Sequence, residues 1–100
     1  MDNHEAEEFI VNEDMNQFEM HVGESVAFLE YYKEGNKIFM THTEAPEELR
    51  GKGLAGRLVK KALQYSKENE LTVVPSCSYV AKYIDGNPEW RTILSDGYQM

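Results

Sequence analysis

The stretch Arg50-Gly51-Lys52-Gly53-Leu54-Ala55, with the pattern that runs on from it to about Glu68, constrains this chain more than any other. Two glycines one residue apart allow positive φ and a close backbone approach to a ligand. A helix opening directly behind them offers unsatisfied N–H groups and the positive end of its dipole, so the turn suits an anion such as a phosphate. The helix is predicted from Leu54, Ala55, Leu58, Val59, Ala62 and Leu63, which recur at helical spacing on one face. Arg57, Lys60, Lys61, Gln64, Lys67 and Glu68 fall mostly on the other face. Asn69 stands where a C-cap is expected, and Leu71 begins an apolar run of a different period.

Charge sharpens this picture. The formal net charge is −8, yet six of the ten Lys and Arg lie between Arg50 and Lys67, a stretch without Asp or Glu. Residues 1–49 hold two basic and thirteen acidic side chains. Basic charge confined to a glycine turn suits a small phosphorylated ligand, whereas a nucleic-acid duplex wants a broad basic face and is not an expected partner. Lys60, Lys61 and Lys67 read as a solvated helix face that complements the dipole. Arg50, Gly51, Lys52 and Gly53 together read as the binding turn.

One hundred residues predict a single domain with one modest core over 1–100, and an apolar share of 41% is compatible with a folded globule. No run approaches the length of a membrane span, so no membrane partner is expected. The acidic start, Met1 to Glu8, lacks the apolar core of a secretory signal, which predicts a cytoplasmic protein. A lone cysteine, Cys77, fits a reducing compartment and allows no internal disulfide; with scattered histidines it gives no metal-ligand spacing. Residues 1–6 are polar and are expected to be disordered.

From Glu8 onward the pattern is one of short strands. Phe9-Ile10-Val11 reads as the first. Phe18, Met20 and Val22 alternate with Glu19 and His21 in a second, half-buried strand. Val26 to Leu29 with Tyr31-Tyr32 is apolar on both parities, as in a strand covered on both faces. Ile38 to Thr43 follows a Gly35-Asn36 hairpin turn. Short turns between the four predict an antiparallel meander. Ala45 to Leu49 reads as a helical turn or loop. After the helix, Leu71 to Pro75 is a short buried strand, and a crossover of that length is what a parallel neighbour of the fourth strand needs. Tyr79, Val80, Tyr83 and Ile84 predict a second helix, capped by Ser76 or Ser78 and broken at Asp85 to Pro88. Glu89 to Leu94 reads as a last short helix and Ser95 to Met100 as a tail. The fold class is therefore α/β, in the order ββββ-α-β-α.

Arg50-x-x-Gly53-x-Ala55, after a strand and at the head of an amphipathic helix, resembles the Arg/Gln-x-x-Gly-x-Gly/Ala motif of the GNAT acetyltransferases. The likeness extends to Thr41-His42-Thr43-Glu44-Ala45-Pro46, Pro75-Ser76-Cys77-Ser78-Tyr79-Val80 and Asn87-Pro88-Glu89-Trp90, which are similar to the very short, single-domain members of that family, over roughly residues 8–94. The resemblance implies an N-acetyltransferase that uses acetyl-CoA (coenzyme A as acyl carrier). It puts the pyrophosphate on the backbone from Gly51 through Gly53 and Leu54 to Ala55, with Arg50 and Lys52 as charge partners. It puts the pantetheine arm between the fourth and fifth strands, near His42-Thr43-Glu44 and Val74-Pro75-Ser76, with Thr43 and Tyr83 among the cofactor-binding candidates. Larger members carry helices between the first two strands and extra C-terminal strands that wall the acceptor site; in residues 8–94 neither is expected.

Two residues are catalytic candidates. Cys77, just ahead of a helix N-terminus, is placed to become a thiolate nucleophile with His42 as its base; the plainer reading is a small buried hydrophobe. His42 is alternatively the base that deprotonates an incoming amine, since imidazole exchanges protons near neutral pH, or simply a half-buried strand residue. Glu44 is a weaker base candidate, and Tyr79 or Tyr83 is a candidate donor to the leaving thiolate. Trp90 reads as core or lid. The acceptor is expected to be an amine on a small molecule or a protein, and the chain a monomer or weak homodimer. Two alternatives stay open: a CoA- or acyl-CoA-binding module with little or no turnover, and an interaction domain whose basic helix docks an acidic partner.

Overall fold

Each junction in the first half of the chain is a tight turn, and the strands therefore alternate in direction. The computed structural model describes residues 7–49, 51 and 53–95. Within them β1 (Glu7–Asn12), β2 (Gln17–Val22), β3 (Ser25–Glu34) and β4 (Lys37–Glu44) form an antiparallel meander. Asn16, Gly23 and Gly35 turn the chain in the left-handed region, at φ of 54°, 60° and 58°. Asn12 also stabilises its turn by accepting the Met15 N–H on its side-chain oxygen at 3.1 Å. The expected helical turn before the glycines is a 3-10 helix over Glu47–Leu49. Helix α1 (Leu54–Glu68) then carries the chain back, so that β5 (Thr72–Pro75) joins β4 in parallel. The sheet order is β1-β2-β3-β4-β5, as the alternation of short and long connections predicts. Helix α2 (Ser78–Gly86) and a 3-10 helix over Pro88–Ile93 follow.

One face of the sheet holds the core. Phe18 meets Tyr65 of α1 edge-on, with ring centroids 5.3 Å apart, which fixes the face that α1 covers. Directly paired residues share a face, so Leu29 opposite Phe18, and Met40 opposite Tyr31, lie on this side too. These residues, with Met20, Ile38 and Val73, are closed over by Leu58, Val59, Ala62 and Leu63 of α1 and by Val80 and Ile84 of α2. The two helices touch at Gly56, where a Cβ would lie 3.8 Å from the Tyr79 hydroxyl and 3.9 Å from the Tyr83 ring.

Three sequence expectations change. The strand read as covered on both faces, β3, is covered on one: Tyr32 is 45% exposed, and its apolar parity is shielded by stacking on Phe39 rather than by a helix. Neither Ser76 nor Ser78 caps α2; the N-cap is Cys77, without a side-chain cap hydrogen bond. Ser95 is buried rather than part of a tail, because its N–H donates to the Val73 carbonyl at 2.9 Å beside a Val73–Leu94 bridge. The expected disorder of residues 1–6 lies outside the described residues.

Candidate active site

Strand β5 ends before β4 does. Its pairing stops at Met40 opposite Pro75, and Pro75 has no N–H with which to continue the ladder. The Ser76 N–H folds back onto the Val74 carbonyl at 2.9 Å, and the Cys77 N–H makes the last link, to the Met40 carbonyl at 2.8 Å. Beyond that point Thr41 to Glu44 run on with no partner from β5 among the described residues, so the two strands part.

A bulge sets what β4 presents there. Glu30 pairs with His42 and Tyr31 with Met40, which leaves Thr41 as the extra residue; its hydroxyl donates to the Glu30 carbonyl at 3.2 Å. Without the bulge, alternation from Ile38 and Met40 would put residue 42 toward the core. With it, Thr43 faces the core opposite Leu29, and His42 faces the other side with Glu30. Thr43 Oγ1 accordingly lies 3.3 Å from Cys77 Sγ, and Cys77 is 8% exposed. His42 bonds Glu44 instead, Nε2 to Oε1 at 2.6 Å, with the two side chains 53% and 49% exposed. The expected pairing of His42 with Cys77 is thus not formed; the bulge separates them. An ionised carboxylate only accepts, so Nε2 is the nitrogen that carries a proton toward Glu44, and in the neutral ring the lone pair is then on Nδ1.

The glycine turn stands beside this opening. Gly51 and Gly53 adopt φ of 79° and 74°, and Gly53 is the left-handed N-cap of α1, with no side-chain cap for the first-turn N–H groups. A Cβ at Gly53 would come within 3.2 Å of Arg57 Nη1, whereas one at Gly51 would meet nothing within 4 Å. A cleft of about 300 Å³ opens here, with Leu54 and Ala55 beside the glycines, Ala45 and Leu49 on one wall and Tyr79 on the other. Leu49, Ala45 and Tyr79 are apolar or amphipathic wall, a part that motif spacing does not signal. The first-turn N–H groups of α1, which have no side-chain cap, and the open space at Gly51 fit a phosphate-bearing group.

Arg50 and Lys52 lie outside the described residues. Arg57, expected on the solvated face, reaches across to β1: its Nε donates to Glu7 Oε1 at 2.9 Å and Nη2 pairs with Oε2. Glu7 thereby holds the guanidinium pKa above its usual value. Tyr83 packs against Gly56 of α1, and burial foremost, then Glu89 and Tyr79, raises its phenol pKa, keeping it a donor. Trp90 sits half-buried, lining a separate surface depression with Gln64, Lys67 and Glu68. No three His, Cys, Asp or Glu side chains cluster to hold a metal ion among the described residues.

A five-stranded mixed sheet that parts between a parallel pair, with a glycine turn at the head of the crossover helix, defines a GNAT-like fold. Residues 17–93 match the family model of the GCN5-related N-acetyl-transferases, and the chain belongs to that family. The NMR solution structure of a GCN5-like protein from Staphylococcus aureus superposes with a TM-score of 0.70 at 25% identity, covering 92% of this chain and 90% of that one. Protein NATD1 of Homo sapiens is 40% identical over 63 residues, which is 62% of this chain and 56% of the human protein. Protein NATD1 of Danio rerio is 36% identical over 63 residues, 62% of this chain and 57% of its own. The match thus spans little more than half the length of these relatives.

Proposed function

We propose that this chain binds acetyl-CoA and transfers its acetyl group to an amine. The observation that carries this is the joint placement of the uncapped glycine turn and the parting of β4 from β5 at the same end of the sheet. In this reading the pyrophosphate rests on the N–H groups from Gly51 to Ala55, with Arg50 and Lys52 supplying charge. Tyr79 and Tyr83 border the carrier, and the thioester arm enters between Thr43 and Ser76. The amine nitrogen attacks the thioester carbonyl, the C–S bond breaks, and the thiolate leaves. His42 takes the amine proton on Nδ1 while Glu44 orients the ring through Nε2.

Direct transfer is favoured over a cysteinyl intermediate by the burial of Cys77 and by its contact with Thr43 rather than with a base. Titration with CoA and intact-protein mass spectrometry with acetyl-CoA and a panel of amines test both parts. We expect saturable CoA binding, transfer reduced about 100-fold in His42→Ala with CoA affinity retained, and transfer within a few-fold of native in Cys77→Ala. A hydroxylamine-labile adduct that vanishes in Cys77→Ala together with turnover would instead assign the cysteine as nucleophile. CoA binding without transfer to any amine would make the chain a binding module, and absence of CoA binding would overturn the proposal.

A further inference from the structure

Helices α1 and α2 lie on the same side of the sheet, and no described element lies over the other side. That face has its own order. Along β3 it presents Phe28, Glu30, Tyr32 and Glu34 in succession, aromatic then acid, twice. Phe39 stacks on Tyr32 at 4.6 Å and 2°, and the Phe28 ring stands 6.3 Å from that of His42. Register puts five carboxylates on this face, Glu8, Glu19, Glu30, Glu34 and Glu44, against a single lysine, Lys37. Glu19 is occupied by Asn12, Gln17 and His21, and Glu44 by His42. The Glu30 and Glu34 carboxylates, flanking the exposed Tyr32 ring, are without a partner among the described residues.

We infer that this uncovered face docks a lysine- or arginine-rich peptide segment, and that the segment delivers the acceptor amine to His42. The docking stands on the sheet itself; only the word acceptor rests on the acetyl-transfer proposal above. Phe28 to Glu34 spans about 20 Å, the length of roughly six residues of extended chain, whose side chains on one face repeat with the same two-residue period. A cationic side chain between Glu30 and Glu34 meets a carboxylate on either side and the face of Tyr32 between them. The far end of the same strip is His42 with Glu44, beside the parting of β4 from β5. A second copy of the chain is disfavoured as occupant, because a two-fold contact would set this surplus of carboxylates against itself. An anionic lipid surface is disfavoured by the same charge.

The test uses the full chain with a capped peptide of alternating lysine and alanine, and the same peptide with glutamine in place of lysine. Binding is followed by NMR chemical shifts without acetyl-CoA, in the native chain, in Tyr32→Ser and in Glu30→Gln/Glu34→Gln. The lysine peptide is expected to bind, more weakly as salt rises, with shifts confined to β3 and β4, and about tenfold more weakly in either variant. The glutamine peptide is expected not to bind. Circular dichroism, CoA affinity and acetylation of a small amine should be unchanged in both variants, which separates lost docking from lost folding or chemistry. Equal affinity in native and variant chains, or no binding of the lysine peptide, overturns the inference. So does a native dimer, seen by sedimentation, that Tyr32→Ser dissociates. A peptide that docks but is not acetylated, while a small amine is, overturns its role as acceptor. If no amine at all is acetylated, the acetyl-transfer proposal fails and the docking is judged on the shifts alone.

Discussion

Gly53 meets two demands that no other residue type meets together. Its φ of 74° is costly for a side chain, by about 1–2 kcal/mol, and its Cβ position is already crowded by Arg57 at 3.2 Å. Gly51 meets only the first demand, with open space around it. Gly53→Ala should therefore lower the melting temperature more than Gly51→Ala does, and it alone should displace Arg57 from Glu7. Thermal melts of the two variants, with the Arg57 side-chain NMR signal as the second readout, check this; equal effects would show that the crowding is immaterial. Glu19 sets a different test. The Gln17 amide foremost, then the His21 ring and the Asn12 amide, hold its carboxyl below the ordinary value against the opposing pull of burial. A carboxyl with a depressed folded-state pKa stabilises the fold above the unfolded value, about 4.3 for glutamate, and that contribution is lost as pH falls through the folded value. Glu19→Gln should thus unfold at lower urea than native at pH 7, with the two curves converging as the solution is acidified. A gap that is constant with pH would assign the effect to packing instead.

Among the elements, α1 and β4 differ in how much of their behaviour can be read ahead of the fold. For α1 the apolar period, the glycines before it and Asn69 behind it are all local, and of the six residues that spacing indicates, Leu54, Leu58, Val59, Ala62 and Leu63 are buried while Ala55 is half-buried, with Ser66 added. Leu58→Ala should cost about 2–5 kcal/mol, the range for deleting a fully buried leucine, measurable by urea unfolding. The kink in β4 has no such local signature. Thr41 becomes an extra residue only by reference to its pairing with Glu30 and Tyr31, so Ile38 to Thr43 reads as an unbroken strand and His42 is placed with Cys77. Partners far apart in the chain are equally silent: nothing near Arg57 announces Glu7, fifty positions away. The uncovered face of β3 was hidden for a related reason, because Tyr32 and Phe39 shield each other and so mimic a core pattern. Deleting Thr41 would join Met40 to His42 with both faces preserved and the strand straightened. We predict a folded chain of similar stability whose β4 stays alongside β5 and whose CoA affinity falls at least about tenfold. Undiminished CoA binding by the deletion variant would show that the bulge does not open the groove.

At the scale of the molecule, the glycine turn, the end of β5 and the N-terminus of α2 gather at one end of the sheet because β4 and β5 run the same way with α1 returning between them. The opposite end carries the Gly35-Asn36 hairpin and the Asn69 to Leu71 connection, where the Thr72 N–H donates to the Asn36 carbonyl at 2.8 Å. That arrangement was legible in outline from the order of short and long connections, since it depends on chain length between strands more than on any side chain. It also sets a sequence of events in time. The β1 to β4 hairpins join neighbours along the chain and can zip early, whereas the parallel pairing of Met40 with Pro75 must wait for all of α1 to be in place. The groove between those strands is then among the last parts of the molecule to assemble and among the first to open. We predict that amide hydrogens of β5 and α2 exchange faster than those of β2 and β3, and that CoA slows exchange in the first pair most, as followed by hydrogen–deuterium exchange. Uniform protection across the sheet would refute this order. If it holds, a newly made chain acquires its carrier site only in the final step of folding, and the carrier itself then acts as the latch on that step.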